Sequence, residues 1–286
     1  IARGNEKLAE SISKTAEDIG KSYISTFSFT SHEIGLLFGN VQSGKTGQMF
    51  GILCKAADLG FPAFLILTTD NVVLQAQTLE RVKSDLEGFC ICGEDDTGLF
   101  VENSLIQPAI IILKKNSRVL RKWANIFNTT GFMKGNPLFI IDDEADAASL
   151  NTFINRKGNQ FSSINKYLNS IKNGATSSLY LQVTGTPQAI LLQTMASGWH
   201  PYFTYYFQPG SAYLGGDFFF PSSQKPDCIT FLETVKEDTK EAVLRHITVS
   251  AQVLASGGKV CNGLIHPSVR QSAHLSLIHI SEPTRL

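Results

Sequence analysis

Residues 39–46, Gly39-Asn40-Val41-Gln42-Ser43-Gly44-Lys45-Thr46, sit between an apolar run at 34–38 and a helical stripe made by Met49, Ile52, Leu53 and Ala56. A segment of the form G-x-x-x-x-G-K-T in that setting admits few folds, because it has to leave a buried strand, curl, and open a helix. The chemistry explains the residue types. Glycines let the backbone turn so that successive N–H groups face one point, and the helix N-terminus adds partial positive charge there. Lys45 would neutralise β- and γ-phosphate oxygens, and the Thr46 hydroxyl would ligate Mg2+. All eight residues form the expected nucleotide cradle. The alternative is a flexible glycine turn with a solvated lysine.

The rest of the chain repeats the strand-then-helix rhythm. Short apolar runs recur at 63–67, 109–113, 138–141 and 179–183. Continuous runs of that length fit strands buried on both faces, as in a parallel sheet. A second helical stripe, Val72, Ala76, Leu79, Val82 and Leu86, fills the gap between two of them. The alternation predicts an α/β fold with a mostly parallel sheet flanked by helices. Ahead of it, Leu8, Ile12, Ala16 and Ile19 predict an amphipathic helix within 5–22. The expected division is an N-terminal helical segment at 1–31 and an ATPase-type domain at 32–200. An aromatic-rich linker and helix would follow at 201–258, and the start of a second domain at 259–274.

Well downstream of the loop, Pro137-Leu-Phe-Ile-Ile-Asp142-Asp143-Glu144-Ala145-Asp146 is an apolar strand that delivers carboxylates at its C-terminal end. In an open α/β sheet ligands bind at that edge. One carboxylate has to hold the metal and a neighbour has to orient or deprotonate the attacking water. Asp143 is assigned to the metal and Glu144 to the water, with Lys45 completing the catalytic set. Asp142 stands where the helicase pattern that this segment resembles has an apolar residue, so either aspartate could face the metal. A third element, Thr184-Gly185-Thr186-Pro187-Gln188, ends the next strand. Its hydroxyls could report on the acids through hydrogen bonds, or form a plain turn.

Together, "GNVQSGKT", "IIDDEAD" and "TGTPQA" resemble the motifs of superfamily-two DNA helicases and translocases of the DEAD type. With the later "LIHPS" they are closer still to the ATPase part of bacterial endonucleases that carry a Z-one domain. That resemblance spans about 35–268. It implies a RecA-like P-loop NTPase domain, ATP and Mg2+ as cofactors, DNA as partner, and a role in DNA processing or phage defence. Lys45, Thr46, Asp143, Glu144, Thr184 and Thr186 carry over by position, the two threonines as coupling residues. The family's nucleic-acid-facing segment corresponds to Thr68-Thr69-Asp70-Asn71 and the helix after it, so Thr69, Asn71, Gln75 and Arg81 are the expected DNA contacts. An N-capped surface helix is the alternative there. Lys114 and Lys115 read as a further backbone contact or a solvated turn.

Such motors complete their site with arginines from a second RecA-like domain, worth orders of magnitude in rate in related NTPases. The chain opens at Ile1 rather than Met, and 275–286 (His279 included) matches a translated sequencing adapter, so this is expected to be a fragment. Alone it should bind Mg-ATP weakly and hydrolyse it slowly. A downstream second domain and nuclease region would be its partners in the same protein. Pro226-Asp227 with Glu233 and Lys236 is a loose echo of a nuclease set. The aromatics of 202–220 could stack bases or pack against a sheet.

Composition narrows the classes. Lys and Arg total 25, as do Asp and Glu, which excludes a polybasic arm holding nucleic acid by bulk charge. No run approaches the ~18 apolar residues of a membrane helix, and five cysteines without zinc spacing read as reduced thiols of a cytoplasmic protein. A non-motor nucleotide switch acting on a protein partner is the competing function.

Overall fold

Each expected apolar run is a strand in the computed structural model, which describes residues 4–104, 106–147, 149, 162–192, 198–220 and 235–261. These are β1 (His32–Phe38), β2 (Ala63–Thr68), β4 (Ala109–Lys114), β5 (Leu138–Asp143) and β6 (Ser178–Thr184). Two short strands, β3 (Cys90–Cys92) and β7 (Phe203–Tyr206), complete a seven-stranded sheet in the order β3-β4-β2-β5-β6-β1-β7. Every pairing is parallel.

Helices cover both faces, as unbroken apolar strands demand. Helices α1 (Glu6–Ile19), α2 (Lys45–Asp58) and α3 (Val72–Asp85) lie on one face, where Ile19, Phe50, Leu53 and Val82 pack against Leu37, Ile66 and Leu181. On the other lie α4 (Thr97–Asn103), α5 (Ser117–Thr130) and α6 (Ser163–Gly174), with Phe100, Trp123, Phe127 and Leu168 against Leu65, Ile111 and Ile140. This is an α/β arrangement, a parallel sheet flanked by helices, with the glycine-rich loop joining β1 to α2.

Two compact units divide the chain, Ile1–Gly215 and Gly216–Leu286. The first therefore includes the N-terminal helix, which a buried stripe of Ile12, Thr15, Ala16 and Ile19 seats beside α2. It also includes the aromatic stretch after Trp199. The stretch opens with a strand: β7 pairs with β1, and Phe203 stacks on Tyr23 with ring centroids 3.9 Å apart. Among its described residues the second unit holds two helices, Gly216–Phe219 and Val235–Ala255. Pro226, Asp227, Glu233, the second-domain start expected at 259–274 beyond Cys261, and the tail at 275–286 lie outside the described residues.

Candidate functional site

The strand β6 lies between β1 and β5, so the loops leaving those two strands flank its end. Phe38 is in register with Thr184, and Asp143 with Val183. Both loops then hang on the last residues of β6: the Gly39 amide donates to Thr184 O (3.4 Å) and the Ala145 amide to Val183 O (3.0 Å). The glycine-rich and acidic segments, far apart in sequence, thus meet at one C-terminal sheet edge.

Within 39–46 the backbone is tightly curled. The Ser43 amide and hydroxyl both donate to Asn40 O, at 3.2 and 2.5 Å. Gln42 has φ +58° and Gly44 φ +95°, the left-handed region that glycine enters without strain. Gly39 has to be glycine for space, since a Cβ there would sit 2.2 Å from the Phe207 ring. Two tyrosines from the aromatic stretch brace the loop, Tyr213 donating its hydroxyl proton to Val41 O (2.6 Å) and Tyr206 reaching Asn40 Oδ1 (3.5 Å).

The start of α2 stands apart from the other long helices of this unit. Helices α1, α3, α5 and α6 begin with a side chain, Asn5, Asn71, Asn116 or Ser162, that accepts from a first-turn amide. Helix α2 begins at Gly44 with no side-chain cap. The Gly47 amide turns back to Gly44 O (2.9 Å), and the N–H groups of Lys45 and Thr46 are left to whatever enters the loop.

Lys45 and Thr46 stand in that first turn. The Lys45 side chain is only 12% exposed, and its ammonium lies 3.9 Å from Glu144 Oε1. Gly185 leaves room for it, since a Cβ there would come within 3.2 Å of Lys45 Nζ. Alternation along β5 sends Asp142 and Asp143 to opposite faces. Asp143, in register with Val183, lies on the α2 face. Burial first, and the Glu144 charge second, push its carboxyl up to about 6 against the pull of Lys115 and Lys45. Asp142 is fully buried on the other face, 3.0 Å from Lys115 Nζ and accepting the Tyr180 hydroxyl proton at 2.7 Å. The extra acid therefore belongs to an internal ion pair, and Asp143 is the aspartate on the same side of the sheet as α2 and Lys45.

Asp146 accepts from both Thr184 Oγ1 (2.6 Å) and Thr186 Oγ1 (2.5 Å). Burial would raise its carboxyl, but these two bonds outweigh it and leave it below the ordinary value. The threonines thus engage the acidic loop at one specific carboxylate.

The four expected DNA contacts are placed differently. Asn71 caps α3 through the Val73 and Leu74 amides (2.9 and 3.2 Å), and Gln75 Nε2 donates to Ile112 O (3.5 Å). Arg81 lies 5.6 Å over the Phe50 ring. Thr69 is half-buried and its carbonyl accepts from the Asn71 amide at 2.7 Å. One expectation fails outright. Lys115 is neither a solvated turn residue nor a surface contact: its side chain has no exposure, and Lys114 pairs with Glu94 at 3.6 Å. Sequence reasoning missed Lys115 because a lysine after an apolar strand reads as a strand end; the unexplained Asp142 was the signal that a buried cation was needed.

No family model and no curated protein matches this chain. Among solved structures, the Pyrococcus furiosus Hef helicase domain is similar at 15% identity, over 67% of this chain and 37% of its own length, TM-score 0.44. A nuclease-deletion mutant of the Type ISP restriction-modification enzyme LlaGI, in complex with a DNA substrate mimic, is similar at 15% identity over 68% and 19%, TM-score 0.41. The Aeropyrum pernix ORC2 protein, in ADPNP-ADP complexes, is similar at 12% identity over 68% and 47%, TM-score 0.37. The chain thus spans well under two thirds of each of these structures.

Proposed function

We propose that this chain is the nucleotide-hydrolysing, helicase-type P-loop ATPase module of a DNA translocase attached to an endonuclease, acting in DNA processing or phage defence. The observation that carries the reading is the 3.9 Å approach of Lys45 Nζ to Glu144 Oε1 at the edge where β1, β6 and β5 end. A first helical turn without a side-chain cap, a largely buried ammonium and two carboxylates of different burial converge there, which suits a Mg2+-bound triphosphate.

In this reading the amides of 39–46 hold the β-phosphate and Lys45 leaves Glu144 for the phosphate oxygens. Thr46 and Asp143 hold Mg2+, which when bound neutralises charge on the β- and γ-phosphates. Glu144, 45% exposed and released by Lys45, accepts a proton from the water that attacks the γ-phosphorus, giving ADP and inorganic phosphate. Asp146, held by Thr184 and Thr186, ties the acidic loop to the end of β6. DNA is the proposed partner along the segment of Thr69, Asn71, Gln75 and Arg81, and a second RecA-like domain supplies the arginines.

The test is ATP turnover by the full-length protein with and without DNA, alongside Glu144→Gln. Turnover stimulated by DNA and abolished by Glu144→Gln, with ATP binding intact, supports a motor. Turnover indifferent to DNA but raised by a protein partner supports the nucleotide switch. DNA cleavage that survives Lys45→Ala supports a nuclease without ATP dependence.

A further inference from the structure

The face of the sheet opposite the nucleotide cleft carries a buried cation whose partners all lie behind that cleft. Lys115 follows β4, its own amide fixed to Thr68 O at 2.9 Å. Its ammonium donates to Asp143 O (2.8 Å), Glu144 O (2.7 Å) and Ala147 O (3.0 Å). Three N–H groups meet three carbonyls, which exhausts what an ammonium can donate. Asp142 balances the charge at 3.0 Å, an oblique ion pair rather than a directed hydrogen bond, and its other oxygen takes the Tyr180 hydroxyl.

The three carbonyls belong to one turn. Had the chain continued extended after Asp143, alternation would send Glu144 to the Asp142 face, away from Lys45. Instead Glu144 adopts φ +50°, a left-handed conformation costly for a residue with a side chain. That conformation points its carboxylate at the Lys45 ammonium. Burying an ion pair is a poor way to stabilise a sheet, since apolar residues of similar size do as well or better. Holding three carbonyls to one point is something an apolar side chain cannot do.

We infer that Lys115 is the positioning residue for the hydrolytic carboxylate: from behind the sheet it curls 143–147 and keeps Glu144 turned toward Lys45. This rests on the proposed role of Glu144. The experiment compares the full-length protein with Lys115→Met/Asp142→Asn, which removes both buried charges together and leaves Tyr180 an acceptor, and with Asp142→Asn alone. The double variant should bind a non-hydrolysable ATP analogue with Mg2+ as wild type does and keep its KM. Its kcat should fall roughly 100-fold, the scale of a displacement of about 1 Å at a reacting group. Amide exchange across 143–147 should accelerate while β4 and β5 keep their protection. Asp142→Asn alone, with the three carbonyl bonds intact, should keep most of its turnover.

Double-variant turnover close to wild type overturns the proposal. So does a joint loss of kcat, analogue binding and sheet protection, which marks a merely structural role. A wild-type protein without turnover defeats the ATPase reading instead; the exchange measurement then decides alone, and unaltered exchange across 143–147 overturns the positioning role.

Discussion

Lys45 and Glu144 form a partly exposed ion pair at 3.9 Å although nearly a hundred positions of chain separate them. Side chains at this distance contribute little to stability when one is open to water. Lys45→Met should therefore leave the unfolding free energy within about 1 kcal/mol of wild type. Nucleotide affinity should fall by about two orders of magnitude, since a charge-assisted phosphate contact is lost. Calorimetric titration with an ATP analogue checks this, and unchanged affinity would place the nucleotide elsewhere.

Asp143 offers a pH signature. Its carboxyl sits at about 6 in the folded chain against an ordinary 3.8, so the folded state takes up a proton more readily than the unfolded one. That contribution to stability is complete below the ordinary value and is lost as pH rises through about 6. Asp143→Asn should then stabilise the metal-free protein above pH 7 by on the order of 2 kcal/mol. The gain should vanish in acid, where wild-type Asp143 is already neutral. Urea unfolding across the pH range measures it; a gain independent of pH would remove Asp143 as the titrating group.

Thr184 and Thr186 converge on Asp146, and each removed hydroxyl leaves a partly buried carboxylate short of a donor. Thr184→Val and Thr186→Val should each cost about 1–2 kcal/mol in thermal or urea unfolding. If the threonines link the acidic loop to events along β6, DNA-stimulated turnover should suffer more than the unstimulated rate.

Gly39 and Phe207 test the floor of the loop. A methyl at position 39 has nowhere to go while the Phe207 ring lies 2.2 Å from it, so Gly39→Ala should cost about 1–3 kcal/mol. Adding Phe207→Ala should return part of that loss, giving a non-additive cycle. Additive costs would mean that the ring yields freely.

What the sequence disclosed follows the strength of its periodic signals. The five long strands announce themselves because a strand buried on both faces has to be apolar throughout, and 39–46 because so few residue types can curl around phosphate. Strand β7 was harder: Phe203 and Tyr205 face α1 and its following turn, an environment supplied by residues far earlier in the chain. Lys115 and Asp142 were opaque separately. Each departs from the pattern of a buried strand, and only their pairing across β2 makes chemical sense. Asn71 shows the converse, a residue whose local capping preference, legible in the sequence, describes its side chain in the fold.

Strand β1 is an interior strand, hydrogen-bonded to β6 on one side and β7 on the other. Its register is thereby locked twice, because a slip of one residue would invert every side chain it carries. The base of the glycine-rich loop is accordingly a fixed foundation rather than a hinge. Under the proposed function, any motion that nucleotide turnover drives would be taken up by the segments hung from that foundation, leaving Lys45 in place.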